Sequence, residues 1–231
     1  MAAHNNIEKN LLTMYKKMHL GNCTECSKCK DENKGLSNPV GCWLVGNEFQ
    51  QQDKRIMFVG KNARGDSNGP TGEKVFDDSR ELLWNKKEWA YWNYTRAIVK
   101  KVFCVDSPEY IAFTNMIKCN NSHDIDTTTK SMKDHCIANL KILRNEIMVI
   151  NPTHIIFYTG RYYDDYIEKV FDCFNEKNNT IKRVGKKDMP WREAEVKIGD
   201  TRLNVLRVGH PERMKKVDYV DAVSDWILTT S

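Results

Sequence analysis

Four stretches of the chain switch abruptly from apolar to polar. Ile56-Met57-Phe58-Val59 contains no polar residue and breaks into Gly60-Lys61-Asn62-Ala63-Arg64-Gly65-Asp66. Tyr110–Asn115, His154–Gly160 and Leu203–His210 repeat the switch. A short apolar run closed by a glycine or a polar loop reads as a strand buried on both faces, as in a parallel sheet. Open α/β sheets bind ligands beyond the carboxyl ends of such strands. The pattern predicts an α/β fold whose four strand ends converge on one pocket.

Between these runs the apolar positions recur at helical spacing. Ile7, Leu11, Leu12, Tyr15 and Met18 predict a helix over 5–19 that ends near Gly21. Trp89, Trp92, Ile98, Val99 and Val102, with Leu82 and Leu83, predict one over 78–103. Cys136, Leu140, Leu143 and Ile147 predict an amphipathic helix over Met132–Ile150, stopped by Asn151-Pro152. A further helix is expected over about 161–174, and Val217, Val220, Val223, Trp226 and Ile227 set one over 216–229. Short strands are expected around Trp43–Val45, over 193–198 and over 203–208, the last two about a turn at Gly199-Asp200. The charged stretch Lys177–Lys187 reads as loop. Neither a repeat nor a long linker divides the sequence, so one domain over 1–231 is expected.

Composition narrows the class. Hydrophobic residues make up 40% and charged residues 29%, as in soluble globular proteins. The apolar runs are far shorter than the roughly 20 residues of a membrane helix. The first ten residues, MAAHNNIEKN, lack the apolar core of a secretory signal. The expectation is a cytoplasmic, monomeric protein with no membrane partner. The formal net charge of +5 suits an anionic partner without identifying one.

Eight cysteines in such a chain point to metal or redox chemistry rather than a disulfide framework. Cys23 and Cys26 stand at CxxC spacing, while Cys119 follows the second strand and Cys136 lies on the next helix. Four thiolates suit zinc or an iron–sulfur cluster, and spacing does not choose between them. Cys29 and Cys42 compete for the same site, and Cys104 and Cys173 read as ordinary buried cysteines.

In order and spacing these pieces resemble the uracil-DNA glycosylase superfamily, closest to its iron–sulfur (family 4-like) branch. The resemblance rests on CxxC at 23–26, IMFVG at 56–60, FTNMIKC at 113–119, Cys136, EIMVINPTHIIFYTG at 146–160 and His210-Pro211. It implies a [4Fe–4S] cluster on Cys23, Cys26, Cys119 and Cys136, with a structural role. It implies a three-layer α/β/α sandwich around a central four-stranded parallel sheet, and DNA as the partner. The first motif departs from that branch: Gly60-x-Asn62 is similar to the G-x-N of the single-strand-selective and mismatch-specific branches.

The resemblance also assigns roles. Asn62 would hold the attacking water, with Asp66 as a carboxylate substitute, and His210 would donate to the departing base. Asn115 would read the edge of the flipped base, since an amide offers both donor and acceptor. Phe76 would stack on that base, although Gly72–Phe76 is one residue longer than the family's spacing. Arg64, Arg213, Lys215 and Lys216 would grip DNA, with Met214 as a wedge. Ala63 and Gly65 are small where uracil-specific relatives are bulky, so the pocket is expected to accept a C5-modified pyrimidine. Aromatics within Trp84–Tyr94 would line its wall. The expected activity is a monofunctional glycosylase that leaves an abasic site, serving defence against phage with modified DNA. The alternatives are uracil removal in base excision repair and a catalytically inactive iron–sulfur DNA-binding protein.

Overall fold

The computed structural model describes residues 5–20, 23–25, 28, 36–62, 84–85, 89–119 and 128–230. Helix α1 (Asn6–Lys17) leads to β1 (Leu44–Val45), β2 (Ile56–Asn62), α2 (Ala90–Phe103) and β3 (Ile111–Ile117). A short helix α3 (Lys130–Lys133) runs into a π-helical turn at Asp134–Asn139, then α4 (Ile142–Ile150) and β4 (His154–Phe157) follow. Helix α5 (Asp164–Glu168), strands β5 (Cys173–Val184), β6 (Lys187–Ile198) and β7 (Thr201–Val208), and α6 (Lys216–Thr229) complete the chain.

The seven strands of the described residues form one mixed sheet in the order β1-β3-β2-β4-β7-β6-β5. The four expected parallel strands are its middle: β3 pairs with β2, β2 with β4 and β4 with β7, all parallel. Their carboxyl ends therefore share one edge. The expected four-stranded sheet is too small a description, because β1 adds antiparallel to β3, and β6 and β5 extend β7 antiparallel.

Period-2 alternation assigns each strand residue to a face. Met57, Val59, Ala112, Ile155, Phe157 and Val205 pack on one side with Leu11 and Tyr15 of α1 and Leu143 and Ile147 of α4. Ile56, Phe58, Phe113, Ile156, Leu206 and Val208 pack on the other with Ile98 and Val99 of α2 and Tyr219, Val223 and Ile227 of α6. Both faces of the sheet are covered, which is why β2 tolerates five consecutive fully apolar or glycine positions. Among the described residues no helix is long and apolar enough to cross a membrane.

Three expectations fail locally. Lys177–Lys187 is not a loop; it holds most of β5, the turn and the start of β6. Strand β5 is exposed along nearly its whole length, so it needs no apolar alternation to form, only the ladder to β6. The helix over 161–174 shrinks to a 3₁₀ turn at Arg161–Tyr163 and the single turn of α5. The helix over Met132–Ile150 is broken: Leu140 N–H bonds His135 O at 2.9 Å across the wide turn, and Lys141 adopts a left-handed conformation with φ 52°. A second left-handed residue, Asn151, ends α4 with its N–H on Ile147 O at 2.8 Å, as Asn-Pro predicts. Of the helix expected over 78–103, the stretches 78–83 and 86–88 lie outside the described residues, and α2 starts at Ala90.

Candidate functional site

The carboxyl edge of the parallel strands carries the expected polar residues. Asn115 is opposite Gly60 across the β2–β3 pair. It does not end its strand, which runs on to Ile117. A Cβ at Gly60 would fall well inside contact with Asn115 Oδ1 and 3.4 Å from Tyr91 Cε1. The missing side chain at 60 is thus what lets the Asn115 amide reach across β2. Asn62 lies two residues further, on the same face by strand alternation, and both asparagines are buried.

Tyr91 of α2 is the hub of this edge. Its ring meets His210 edge-on at 4.6 Å between centroids, Tyr158 at 5.3 Å and Phe113 at 6.2 Å. Tyr91 therefore touches both the Gly60–Asn115 crossing and the imidazole of His210. Nothing in the sequence separates Tyr91 from its aromatic neighbours on α2; only the register of the helix against the sheet does.

His210 caps a 3₁₀ turn at Pro211–Arg213. Its Nδ1 accepts the Glu212 N–H at 3.3 Å, and the Glu212 carboxylate lies 3.7 Å away. With Nδ1 accepting, the neutral ring carries its proton on Nε2. The loop is pinned on both sides by phenols: Tyr219 donates to Gly209 O at 3.0 Å and Tyr94 to Met214 O at 2.7 Å. Met214 is half-buried against the α2/α6 layer, while Lys215 and Lys216 are exposed. Lys216 is held to Asn93 Oδ1.

Behind Asn115 stands a buried polar network that the sequence did not announce. Lys118 and Glu146 are both fully buried and pair at 2.7 Å. Thr114 donates to Glu146 Oε2 at 2.8 Å, Tyr15 donates to Glu146 Oε1 at 2.6 Å, and Lys118 donates to Asn115 O at 2.5 Å. The Tyr15 hydroxyl in turn accepts the Cys42 N–H at 2.7 Å, and its pKa is pushed well up by burial and by the Glu146 charge. A lone buried ion would be costly; here every partner is paired and hydrogen-bonded. The network fixes the backbone of Asn115 from below the sheet.

Three of the four expected cluster cysteines share one neighbourhood. Cys119 and Cys136 are buried and Cys23 is half-buried. Burial pushes the Cys119 thiol far up, and the charges of Cys136 and Cys23 push it further; Cys23 feels Cys136 in the same way, after burial. The π-helical turn is what holds Cys136 here. Among the described residues no group of three or more His, Cys, Asp or Glu side chains is placed to hold a metal ion, and Cys26 lies outside the described residues. The chemistry of the donor set fits a thiolate-held group, since three thiols near enough to feel one another's charge, with a fourth at CxxC spacing, are soft donors of the kind that hold iron or zinc. Cys29 is also outside the described residues. Cys42 does not compete for the site: its thiol donates to Phe113 O at 3.1 Å within the α1 layer. Cys104 and Cys173, expected to be buried, are exposed. Cys104 ends α2 and Cys173 begins the edge strand β5, so neither faces the core.

The structure thus brings Asn115 and His210 together around Tyr91, with Asn62 on the same strand face. Ala63, Arg64, Asp66 and Phe76 lie outside the described residues, as does the side chain of Arg213. A surface cavity among Ile147, Met148, Pro152, Ile198 and Leu203 lies at the opposite edge of the sheet. Its one carboxylate, Asp200, has no second titratable group beside it in the lining, so it is not the candidate. Comparison with known proteins returned no matching family model and no matching curated relative.

Proposed function

We propose that the protein is a monofunctional DNA glycosylase of the uracil-DNA glycosylase type that removes a pyrimidine, with a C5-modified base as the preferred substrate. The observation that carries the reading is the meeting of Asn115 and His210 around Tyr91 at the carboxyl edge of four parallel strands. A base inside a duplex cannot be reached where it lies and must be turned out into a pocket. Asn115, rigid because its backbone is tied to Lys118, would read the edge of that base with one donor and one acceptor. Breaking the glycosidic bond builds negative charge on the leaving base. The Nε2–H of His210 would donate to that oxygen, and preorganised donors of this kind contribute about 3–4 kcal/mol to such steps. Asn62 would hold the water. An amide is a poor base, which suits a bond that breaks before the water attacks. Tyr91 would form the wall between edge reader and donor.

Cys23, Cys26, Cys119 and Cys136 would hold a [4Fe–4S] cluster, with zinc as the alternative. The bound group would supply a cross-link between the amino-terminal segment and the exit of β3, and no chemistry on the base. The test is a single-turnover screen of duplexes carrying uracil, 5-hydroxymethylcytosine or glucosylated cytosine, scored for alkali-sensitive abasic sites, with metal analysis of the same preparation. Cleavage of a C5-modified substrate that His210→Ala and Asn115→Ala abolish is expected. Activity on uracil alone would refute the modified-base preference. Silence on every substrate would leave a DNA-binding protein that keeps the fold without the reaction.

A further inference from the structure

The β5–β6 hairpin, which the sequence hid as a loop, reaches the loop that carries His210. Its tip, Gly185, is so close to Asp218 in the first turn of α6 that a Cβ there would collide with the carboxylate. Val184 is buried with Tyr219 and Val220 of α6. At the start of β6, Pro190 Cδ and Met189 Cγ lie 3.5 and 3.8 Å from the Cβ position of Gly209, the residue before His210.

This packing joins two basic stretches that are far apart in sequence. Lys182, Arg183, Lys186 and Lys187 at the hairpin tip are exposed, and so are Lys215 and Lys216 at the start of α6. Lys182 lies with its Nζ 4.0 Å from the Trp191 ring, which fixes its stem against β6. Among the described residues, Asp188, Asp218 and Glu212 lie within or beside these stretches. Asp188 is engaged by Arg183 at 2.8 Å, so it cancels one cation locally, and the five exposed lysines of the tip and of α6 outnumber Asp218 and Glu212.

We propose that the β5–β6 hairpin tip, with Lys186 and Lys187 at its turn, forms with Lys215 and Lys216 a surface that binds the phosphate backbone of duplex DNA beside the nucleotide held at the His210 edge. The choice of DNA as the polyanion rests on the glycosylase reading; the surface itself rests on the hairpin's packing and charge. A row of lysines without a planar reader or groove-entering helix positions the backbone and does not specify sequence.

The test is equilibrium binding of the full chain to a fluorescent duplex of ordinary sequence, followed as a function of salt. The double variant Lys186→Ala/Lys187→Ala is compared with Lys197→Ala/Arg202→Ala. The control removes the same charge at the far end of the β6–β7 pair, about 30 Å away at 3.3 Å per residue. Each lost phosphate contact flattens the slope of log K against log salt by about 0.9. The tip variant is expected to flatten it by about 1.8 and to weaken binding about tenfold or more at roughly 0.1 M salt. The control is expected to leave the slope unchanged. Equal effects of the two variants, or none from the tip, would overturn the proposal, and so would a tip-dependent preference for single-stranded RNA over duplex DNA. Lys187→Glu, with thermal melting matched to the wild type, is the second variant and is expected to exceed the alanine effect. The outcomes separate from those of the activity screen. Tip-dependent duplex binding by a protein that cleaves nothing sustains this surface and removes the reaction. Cleavage and binding that ignore the tip do the reverse.

Discussion

Gly60→Ala is a one-methyl test of the candidate site. The Gly60 backbone is not in the left-handed region, so alanine meets no conformational penalty and its effect comes from packing. The new methyl would occupy the place of the Asn115 amide oxygen, which must retreat by about 1 Å to regain ordinary contact, since overpacked atoms do not share space. The atom displaced is the tip of a side chain rather than backbone. The stability cost is therefore at the low end of overpacking, about 1 kcal/mol, or about 2–4 °C in melting temperature for a chain of this size. The cost to function is larger. A misplacement of about 1 Å in a positioning group costs roughly a hundredfold in rate. That is equivalent to about 2.7 kcal/mol of barrier. The assay is single-turnover release of the base from the substrate identified by the screen, with a thermal melt of the same sample. Asn115→Ala supplies the control. It removes the side chain that the methyl displaces, so Gly60→Ala should add less than about threefold in that background. A Gly60→Ala protein within about threefold of wild type would refute the reasoning, as would full additivity in the double mutant.

Two further predictions concern the frame. Lys118→Met leaves the Glu146 carboxylate buried without its cation and is expected to cost about 3–5 kcal/mol in denaturant unfolding, whereas Lys118→Met with Glu146→Leu recovers most of that stability. The recovered double variant should still bind and cleave substrate poorly, because the Asn115 carbonyl has lost its donor. His154, buried on β4 beside Trp226, has its pKa lowered from 6.5 to about 4 by burial and then by the Lys54 charge. The unfolded chain takes up this proton first, so the stabilisation is complete above about pH 6.5 and is lost as pH falls toward about 4. The loss is about 3 kcal/mol at most. Urea midpoints measured across that window should flatten in His154→Phe, and an unchanged pH dependence would exclude His154 as the source.

What the sequence made legible follows from where water reaches. Strands β2, β3, β4 and β7 are buried on both faces, so Ile56–Val59 or Ile155–Phe157 carry an unbroken apolar signal. Strand β5 is wet on both faces; Asn175, Lys177, Asn179 and Lys182 look like loop residues because only the ladder to β6 holds them. Helix α6 was legible to its ends, since one face packs and the other is polar. The break before α4 was not. Lys141 enters the left-handed region without the glycine or proline that usually marks such a stop. The same limit hides Lys118 and Glu146. Each looks like a surface residue in its own segment, and only the packing of α4 under β3 shows that they neutralise one another. Tyr91 was one aromatic among several, distinguished only by which turn of α2 faces the strand ends.

The two candidate sites are not independent, because both hang on the last residues of β3. Thr114, Asn115 and Lys118 belong to the buried network, and Cys119 follows at once. Strand order then alternates their duties: Asn115 faces the α2/α6 side with His210, while Thr114 and Met116 face the α1/α4 side. The segment before β1 is sewn to the same strand, with Val40 N–H on Lys118 O at 2.7 Å and Trp43 N–H on Phe113 O at 2.9 Å. Tyr15 carries the connection back to α1, which ends just before Cys23. A group held by Cys23, Cys119 and Cys136 would therefore restrain α1, the π-helical turn and the exit of β3 together. Releasing it would loosen the backbone whose carbonyl Lys118 grips, and the amide of Asn115 would lose its aim before the core lost its packing. Under the proposed function the thiols would need no chemistry of their own: a group held by them would fix the far side of the strand whose near side carries Asn115.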